Sequence, residues 1–407
     1  MKNQPAVSDR QRPLSAEEAT AALAVSRQTL YAYASRGLVR AIVDPSDSRR
    51  SLYDAGDIRD LKERNGRGRS RREVAAATIN WGDPVLQSAI TRIVDGKLCF
   101  RGQNAIELSR TATLEDVAAL LWQGGSTPLP MQAGPPPHGH LDGWRSRPSA
   151  QRCIEAVAAM VTAGSWSVSP DRGLPDAYRI LRQVAAAAAG TTAVSSRSEL
   201  PVHELLASSW GRGSEAADLI RRALVLCADH ELNASTYAAR VIASTRASLG
   251  ASVLGGLCAL TGPLHGGATD LVRSLLADHA LLSDPEDMFA ARIAGGQRIP
   301  GFGQRLYPAG DPRAAELLQV LPLSQRWRRV LDAAVKATGT WPNIDFALVL
   351  LEKQMKLPRG AAFATFATGR VVGWIAHALE QWSEGRLIRP RANYVGPGAQ
   401  PVDHERW

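Results

Sequence analysis

The stretch PGFGQRLYPAGDPRAAEL, residues 300–317, sets two glycines around a phenylalanine and follows them with Gln304, Arg305, Tyr307 and the run DPRA. A linker has no use for so specific a set. Three more clusters stand around it in order: DHELNAST at 229–236, TGPLHGGATD at 261–270 and WPNIDFA at 341–347. His265-Gly266-Gly267 reads as a side chain at a helix boundary where backbone comes close to a ligand. Asp345, behind Pro342 at a helix start and flanked by Ile344 and Phe346, has the apolar surroundings that raise a carboxylate's pKa and suit it to proton abstraction. Each alone has a plainer reading. A lone histidine on an apolar helix is more often a satisfied core residue, and a lone aspartate near a helix start is more often a cap.

The 407 residues suffice for two or three domains, and 45% apolar with 21% charged residues is a globular composition. No apolar run reaches the length of a membrane span, and the start, MKNQPAVSDRQRP, lacks a signal-peptide core, so a cytoplasmic location is expected. Cys99, Cys153, Cys227 and Cys258 show no metal-binding spacing and read as reduced, buried small residues; no metal site is predicted.

Net charge is +9, and residues 1–72 carry 15 Lys and Arg against 9 Asp and Glu. A charge run alone is usually a solvated tail, but this one surrounds a pattern. Ser15 with Glu18 is a capping box, Ser26 caps a second short helix, Gly37 ends it, and VRAIVDPSDSRRSLYD reads as a hairpin with its turn at Asp44-Pro45 and Tyr53 on the core. The stretch resembles the winged helix-turn-helix domains of MerR-type regulators and excisionases. That resemblance implies DNA contact by Arg27, Gln28, Thr29 and Tyr33 on the second helix and Arg49 and Arg50 on the wing. RNGRGRSRR, residues 64–72, then reads as a flexible linker. Beyond it the pattern is helical, interrupted by two expected surface loops, STPLPMQAGPPPHGHLDGWRSRPS (126–149) and AAAAAGTTAVSSRSELP (185–201).

The four clusters in order, with DGKLCFRG and TLEDVAALLWQGG before them and FATGRVVGWIAHALEQW and IRPRANYVGP after, resemble the citrate synthase family from about Ser88 to Gly396. The resemblance implies a mainly α, two-domain helical fold over residues 85–397, its smaller domain at 267–358, behind a winged helix-turn-helix domain at 1–63 and a basic linker at 64–84. It implies an acyltransferase that condenses acetyl-CoA or propionyl-CoA with oxaloacetate in a homodimer, with acyl-CoA as cosubstrate and no tightly bound cofactor. His265 would bind the thioester oxygen and Asp345 would take the α-proton. His230, Arg313 and Arg370 would hold oxaloacetate, with Arg389 arriving from the partner subunit, and Arg305 with the backbone of Gly301 and Gly303 would face CoA phosphates. Physical chemistry supports the division: a dianion calls for guanidinium clamps, and enol formation calls for a base and a donor to the oxyanion.

Gln304 departs from the pattern, because the family has a histidine there that donates to the oxaloacetate carbonyl. Glutamine keeps a donor but cannot carry a proton or a charge. Its presence predicts attenuated catalysis and opens two alternatives: a ligand-sensing DNA-binding regulator built on the same fold, and a quiet partner subunit of an active synthase.

Overall fold

The computed structural model describes residues 13–44, 47–66, 86–123, 143–163, 173–191, 200–278, 281 and 283–390. Helix α1 (Ala16–Leu23) opens on the expected capping box: Ser15 Oγ accepts from Glu18 N–H at 3.2 Å, and the Glu18 carboxylate accepts from Ser15 N–H at 2.7 Å. Ala24 turns the chain at φ 54°, and Ser26 caps α2 (Arg27–Ser35). Strand β1 (Ala41–Asp44) pairs antiparallel with β2 (Asp47–Tyr53), and α3 (Ala55–Gly66) follows. Ala19, Leu23, Leu30, Val39, Tyr53, Ile58 and Leu61 give this segment a core of its own. α3 continues past the boundary expected at 63 and ends on Gly66, a poor helix former; the rest of the predicted linker and Pro45 lie outside the described residues.

Next comes an antiparallel sheet of β3 (Thr91–Val94), β4 (Lys97–Phe100) and β5 (Gln103–Asn104), its first hairpin turned by Asp95 and Gly96 at φ 51° and 72°. The remainder is helical: α4 (Ala105–Thr111), α5 (Leu114–Trp122), α6 (Ser149–Thr162), α7 (Gly173–Ala189), α8 (Val202–Ser209), α9 (Ser214–Cys227), α10 (Ala234–Ser244) and α11 (Leu249–Leu260). It continues through α12 (Ala268–Leu275), α13 (Pro285–Ala294), α14 (Pro312–Val320), α15 (Gln325–Thr338), α16 (Ile344–Gln354) and α17 (Ala361–Glu384). Among the described residues no helix is long and apolar enough to cross a membrane, and no cluster of metal-ligating side chains occurs.

The 24 residues of α17 span about 36 Å at 1.5 Å per residue, and α5, α7, α9, α10, α11 and α16 all pack against it. Its sequence explains how so many neighbours fit. A Cβ on Gly369 would meet Leu224 O at 2.6 Å, and one on Gly373 would fall on Asp229 Oδ1 and Ala228 O, so only glycine lets the α9 end approach this closely. Trp122 Nε1 donates to Val372 O at 2.9 Å.

Three expectations change here. Ala185–Ala189, assigned to a loop, form the buried last turn of α7, because alanine is the best helix former and small enough to bury; Gly190, at φ 71°, stops the helix. In the other predicted loop, Trp144–Ser146 form a 3₁₀ turn that buries Trp144. Of the four cysteines, Cys153 and Cys227 are buried as expected, Cys99 is partly buried, and Cys258, near the end of α11, is exposed.

Candidate active site

Two backbone devices bring distant segments together. Asn233 caps α10 by accepting from the N–H groups of Ser235 and Thr236, both at 3.1 Å, which closes the turn that carries Asp229 and His230. Gly303 N–H donates to Trp341 O at 3.0 Å and Asn343 N–H to Gly301 O at 2.8 Å, so the 301–311 loop draws the start of α16, and Asp345 with it, into the same region. Gly301, at φ 85°, leaves no space for a Cβ, which would lie 2.8 Å from Val272 Cγ2 and 2.9 Å from Phe346 Cβ. The backbone groups of Gly301 and Gly303 that join this bridge are therefore engaged within the chain. Gly266 and Gly267 sit at the start of α12 as expected, but the close approach there is to the chain's own Leu260 and Thr261.

Within this frame His230, His265, Arg313, Asp345 and Arg370 become electrostatic neighbours. Arg313, on the first turn of α14, is buried and held by Asp311, whose carboxylate accepts from Nε at 2.9 Å and Nη2 at 2.8 Å and also from Ile344 N–H at 3.1 Å. Arg370, inside α17, donates through Nε to Cys227 O at 2.8 Å. Its Nη2 is sealed from solvent and has no partner among the described residues. A buried guanidinium nitrogen without an acceptor is a costly arrangement that an anionic ligand would relieve.

The titrating groups divide in two. Burial, reinforced by Arg370 and Arg313, pushes His265 down to about 3. Burial followed by Arg313, Arg370 and His265 holds His230 well below the usual histidine range, so both imidazoles are neutral at pH 7. Burial raises Asp345 to about 7 against the pull of Arg313, with the Asp311 charge adding to the rise. Asp345 is the second residue of α16 and does not cap it; Asn343 does, accepting from the N–H groups of Asp345 and Phe346.

The family model for "Citrate synthase, C-terminal domain" matches residues 80–391. The chain belongs to the citrate synthase family. Citrate synthase 2 of Bacillus subtilis is 28% identical over 350 residues, 77% of this chain and 94% of that protein. The citrate/2-methylcitrate synthase of the same organism is 28% identical over 350 residues, 75% of this chain and 91% of its own length. The crystal structure of citrate synthase from Thermotoga maritima superposes with a TM-score of 0.65 at 28% identity, covering 80% of this chain and 97% of that one. The helical body is thus a citrate synthase fold.

Other predicted residues of this family member lie on the 301–311 loop, beyond α17 and on α2 and β2. Gln304 is half-buried on the 301–311 loop, its Oε1 accepting from Leu306 N–H at 3.5 Å, which leaves the amide NH₂ as the available donor. Arg305 is exposed and lies 3.5 Å from Asp57 of α3, and beside it a Cβ on Gly37 would meet Pro308 Cγ at 2.8 Å. Arg389 is exposed beyond the end of α17. On α2, Arg27 and Gln28 are exposed, Thr29 is engaged with the Ser26 cap, and Tyr33 packs against the small core; the aromatic that α2 presents to solvent is Tyr31. Arg50 pairs with Asp47 at 3.3 Å, and the Arg49 side chain lies outside the described residues.

Sequence reading missed Ser235, whose Oγ lies 2.7 Å from His265 Nε2, 2.7 Å from Asn233 Oδ1 and 3.1 Å from the indole nitrogen of Trp374. It also assigned no role to Asp311 or Tyr307. Asp311 had a signal, since the Asp-Pro start of α14 is a cap followed by proline at the first helical position.

Proposed function

We propose that the chain condenses an acyl-CoA with oxaloacetate, giving citrate from acetyl-CoA or 2-methylcitrate from propionyl-CoA. The observation that carries the reading is Asp345, a carboxyl raised to about 7 beside the buried Arg313 and Arg370, which also act on two neutral histidines. Arg313 and Arg370 bind the two carboxylates of oxaloacetate. Asp345 takes a proton from the acyl α-carbon, and His265 donates to the thioester oxygen as it gains charge. Ser235 Oγ accepts from Trp374 and can give its one proton either to Asn233 Oδ1 or to His265 Nε2; the second arrangement leaves Nδ1–H for that oxygen. The enol carbon attacks the oxaloacetate ketone, and water then cleaves the thioester, releasing CoA. Arg305 faces CoA phosphates, the 267–358 region closes over the pair, and Arg389 completes the site of the partner subunit in a homodimer. Thiol release on mixing the full chain with oxaloacetate and acetyl-CoA or propionyl-CoA tests this; no release with either acyl-CoA, while oxaloacetate still binds, would turn the reading to the sensor.

Gln304 offers an amide donor to the ketone where an imidazolium would be stronger. Gln304→His is therefore expected to raise turnover by part of the roughly 10²–10³ that one oxyanion donor is worth, with a smaller change in the KM for oxaloacetate. A variant that binds oxaloacetate without any gain in turnover would remove Gln304 as the limiting feature.

A second reading concerns residues 13–66, where the capped helix pair, hairpin and third helix with their own core follow the order of a winged helix-turn-helix domain. Arg27, Gln28 and Tyr31 on the open face of α2 suit a DNA groove. Retention of duplex DNA by the full chain should fall steeply between 50 and about 200 mM salt. Absent or salt-independent retention would leave this segment a protein-contact module.

A further inference from the structure

The loop that carries Gln304 also buries Tyr307, which the proposed chemistry does not use. The Tyr307 hydroxyl lies 3.0 Å from His230 Nε2, and the two rings are tilted at 57° with centroids 5.5 Å apart. The Arg313 guanidinium carbon stands 5.8 Å from the phenol centroid. Backbone turns fix the residue at both ends, Tyr307 N–H donating to Gln304 O at 3.0 Å and Gly310 N–H to Tyr307 O at 2.9 Å. Tyr307 is 2% exposed and His230 7%.

The direction of this hydrogen bond follows from counting protons. If His230 donated, the phenol proton would need a further acceptor, and among the described residues the Tyr307 hydroxyl has no other partner. If the phenol donates, its proton is satisfied and the remaining imidazole proton, on Nδ1, is left for a ligand. Burial pushes the phenol well above its usual value and, with Arg313 and Arg370, keeps the imidazole neutral, so the pair stays O–H···N without proton transfer. Nε2 accepts, and the single imidazole proton resides on Nδ1.

We propose that Tyr307 is a positioning residue whose hydroxyl locks His230 in the Nδ1–H tautomer, making the imidazole a hydrogen-bond donor to oxaloacetate. This rests on the reading that oxaloacetate is the ligand of Arg313 and Arg370. The tautomer decides the sign of the contact, because the carboxylate and ketone oxygens of the ligand only accept; a lone pair at Nδ1 would repel them. Tyr307 and Gln304 thus sit three residues apart on one turn, the first setting a donor on the neighbouring His230 and the second presenting its own.

Tyr307→Phe keeps the ring beside His230 and Arg313 and removes the hydroxyl. Nitrogen-15 spectra of the histidine-labelled full chain, assigned with His230→Gln, should show His230 protonated at Nδ1 in the wild type and a tautomer mixture in Tyr307→Phe. Oxaloacetate affinity by calorimetry should weaken about five- to tenfold, the equivalent of one neutral hydrogen bond, with CoA affinity unchanged. His230 protonated at Nε2 in the wild type would overturn the lock, a measurement that needs no variant to fold. Unchanged tautomer and affinity in Tyr307→Phe would overturn it equally. A wild type that fails to bind oxaloacetate yet shows the Nδ1–H tautomer refutes the ligand assignment, and with it the proposed role, while leaving the Tyr307–His230 hydrogen bond standing.

Discussion

Asp345→Asn is expected to lower thiol release by about 10²–10⁴-fold while oxaloacetate still binds, because the amide fills the same space but accepts no proton from carbon. The pH dependence has a definite sign. With the carboxyl raised to about 7, the base form is scarce below that value, so the rate should rise as pH passes upward through 7. Stability runs the other way. A carboxyl whose folded pKa lies above its usual 3.8 favours the folded state when protonated, and that contribution, full below 3.8, is lost as pH climbs through about 7. Asp345→Asn mimics the protonated form, so the variant should match the wild type in denaturant unfolding at low pH and hold up better at pH 8. A variant that keeps its turnover would remove Asp345 from the chemistry, and one with the same pH–stability slope as the wild type would show that the raised carboxyl is a different one.

Asp311→Ala is expected to destabilise the fold by about 3–5 kcal/mol, the cost of stranding a buried guanidinium. Asp311 and Arg313 are each 2% exposed, and the lost carboxylate also served the N–H groups of Arg313 and Ile344. The two N–H groups bond to different oxygens of Asp311, so Asp311→Asn keeps an acceptor for only one of them and should fall between. Urea unfolding of the three proteins gives the comparison. A loss under about 1 kcal/mol for the alanine variant would mean that Arg313 finds another anion on its own.

Much of this was legible where a local rule governs. The Ser15–Glu18 box and the Ser26 cap each obey constraints that act within four residues. The apolar flanks of Asp345 announced its raised pKa for the same reason. What stayed hidden depends on partners far along the chain. Ser235 matters because His265 and Trp374 fold onto it, and Tyr307 because His230 does, neighbours separated by 30 to 139 positions with no period to betray them. The α2 aromatics turned on helix phase: Tyr33 faces inward and Tyr31 outward, two residues and about 200° apart on a helix of 3.6 residues per turn. Composition misled once, since the alanines of 185–189 precede a serine- and threonine-rich run and look like part of it.

The touch between Asp57 and Arg305 shows how little this one ion pair can couple the small segment to the helical body. Asp57 is already matched by Arg40, through Nε at 2.8 Å and Nη2 at 3.2 Å, so Arg305 meets a carboxylate whose charge is largely compensated. At 3.5 Å, with the Arg305 side chain 42% exposed, such a pair is worth about 0–1 kcal/mol. Reciprocity then caps the traffic in both directions: an anion that draws Arg305 away from Asp57 loosens the small segment by no more than that, and whatever pulls on the small segment changes the affinity of that anion by at most about fivefold. Across this contact each end can trim the other's behaviour, and neither can hold the other shut.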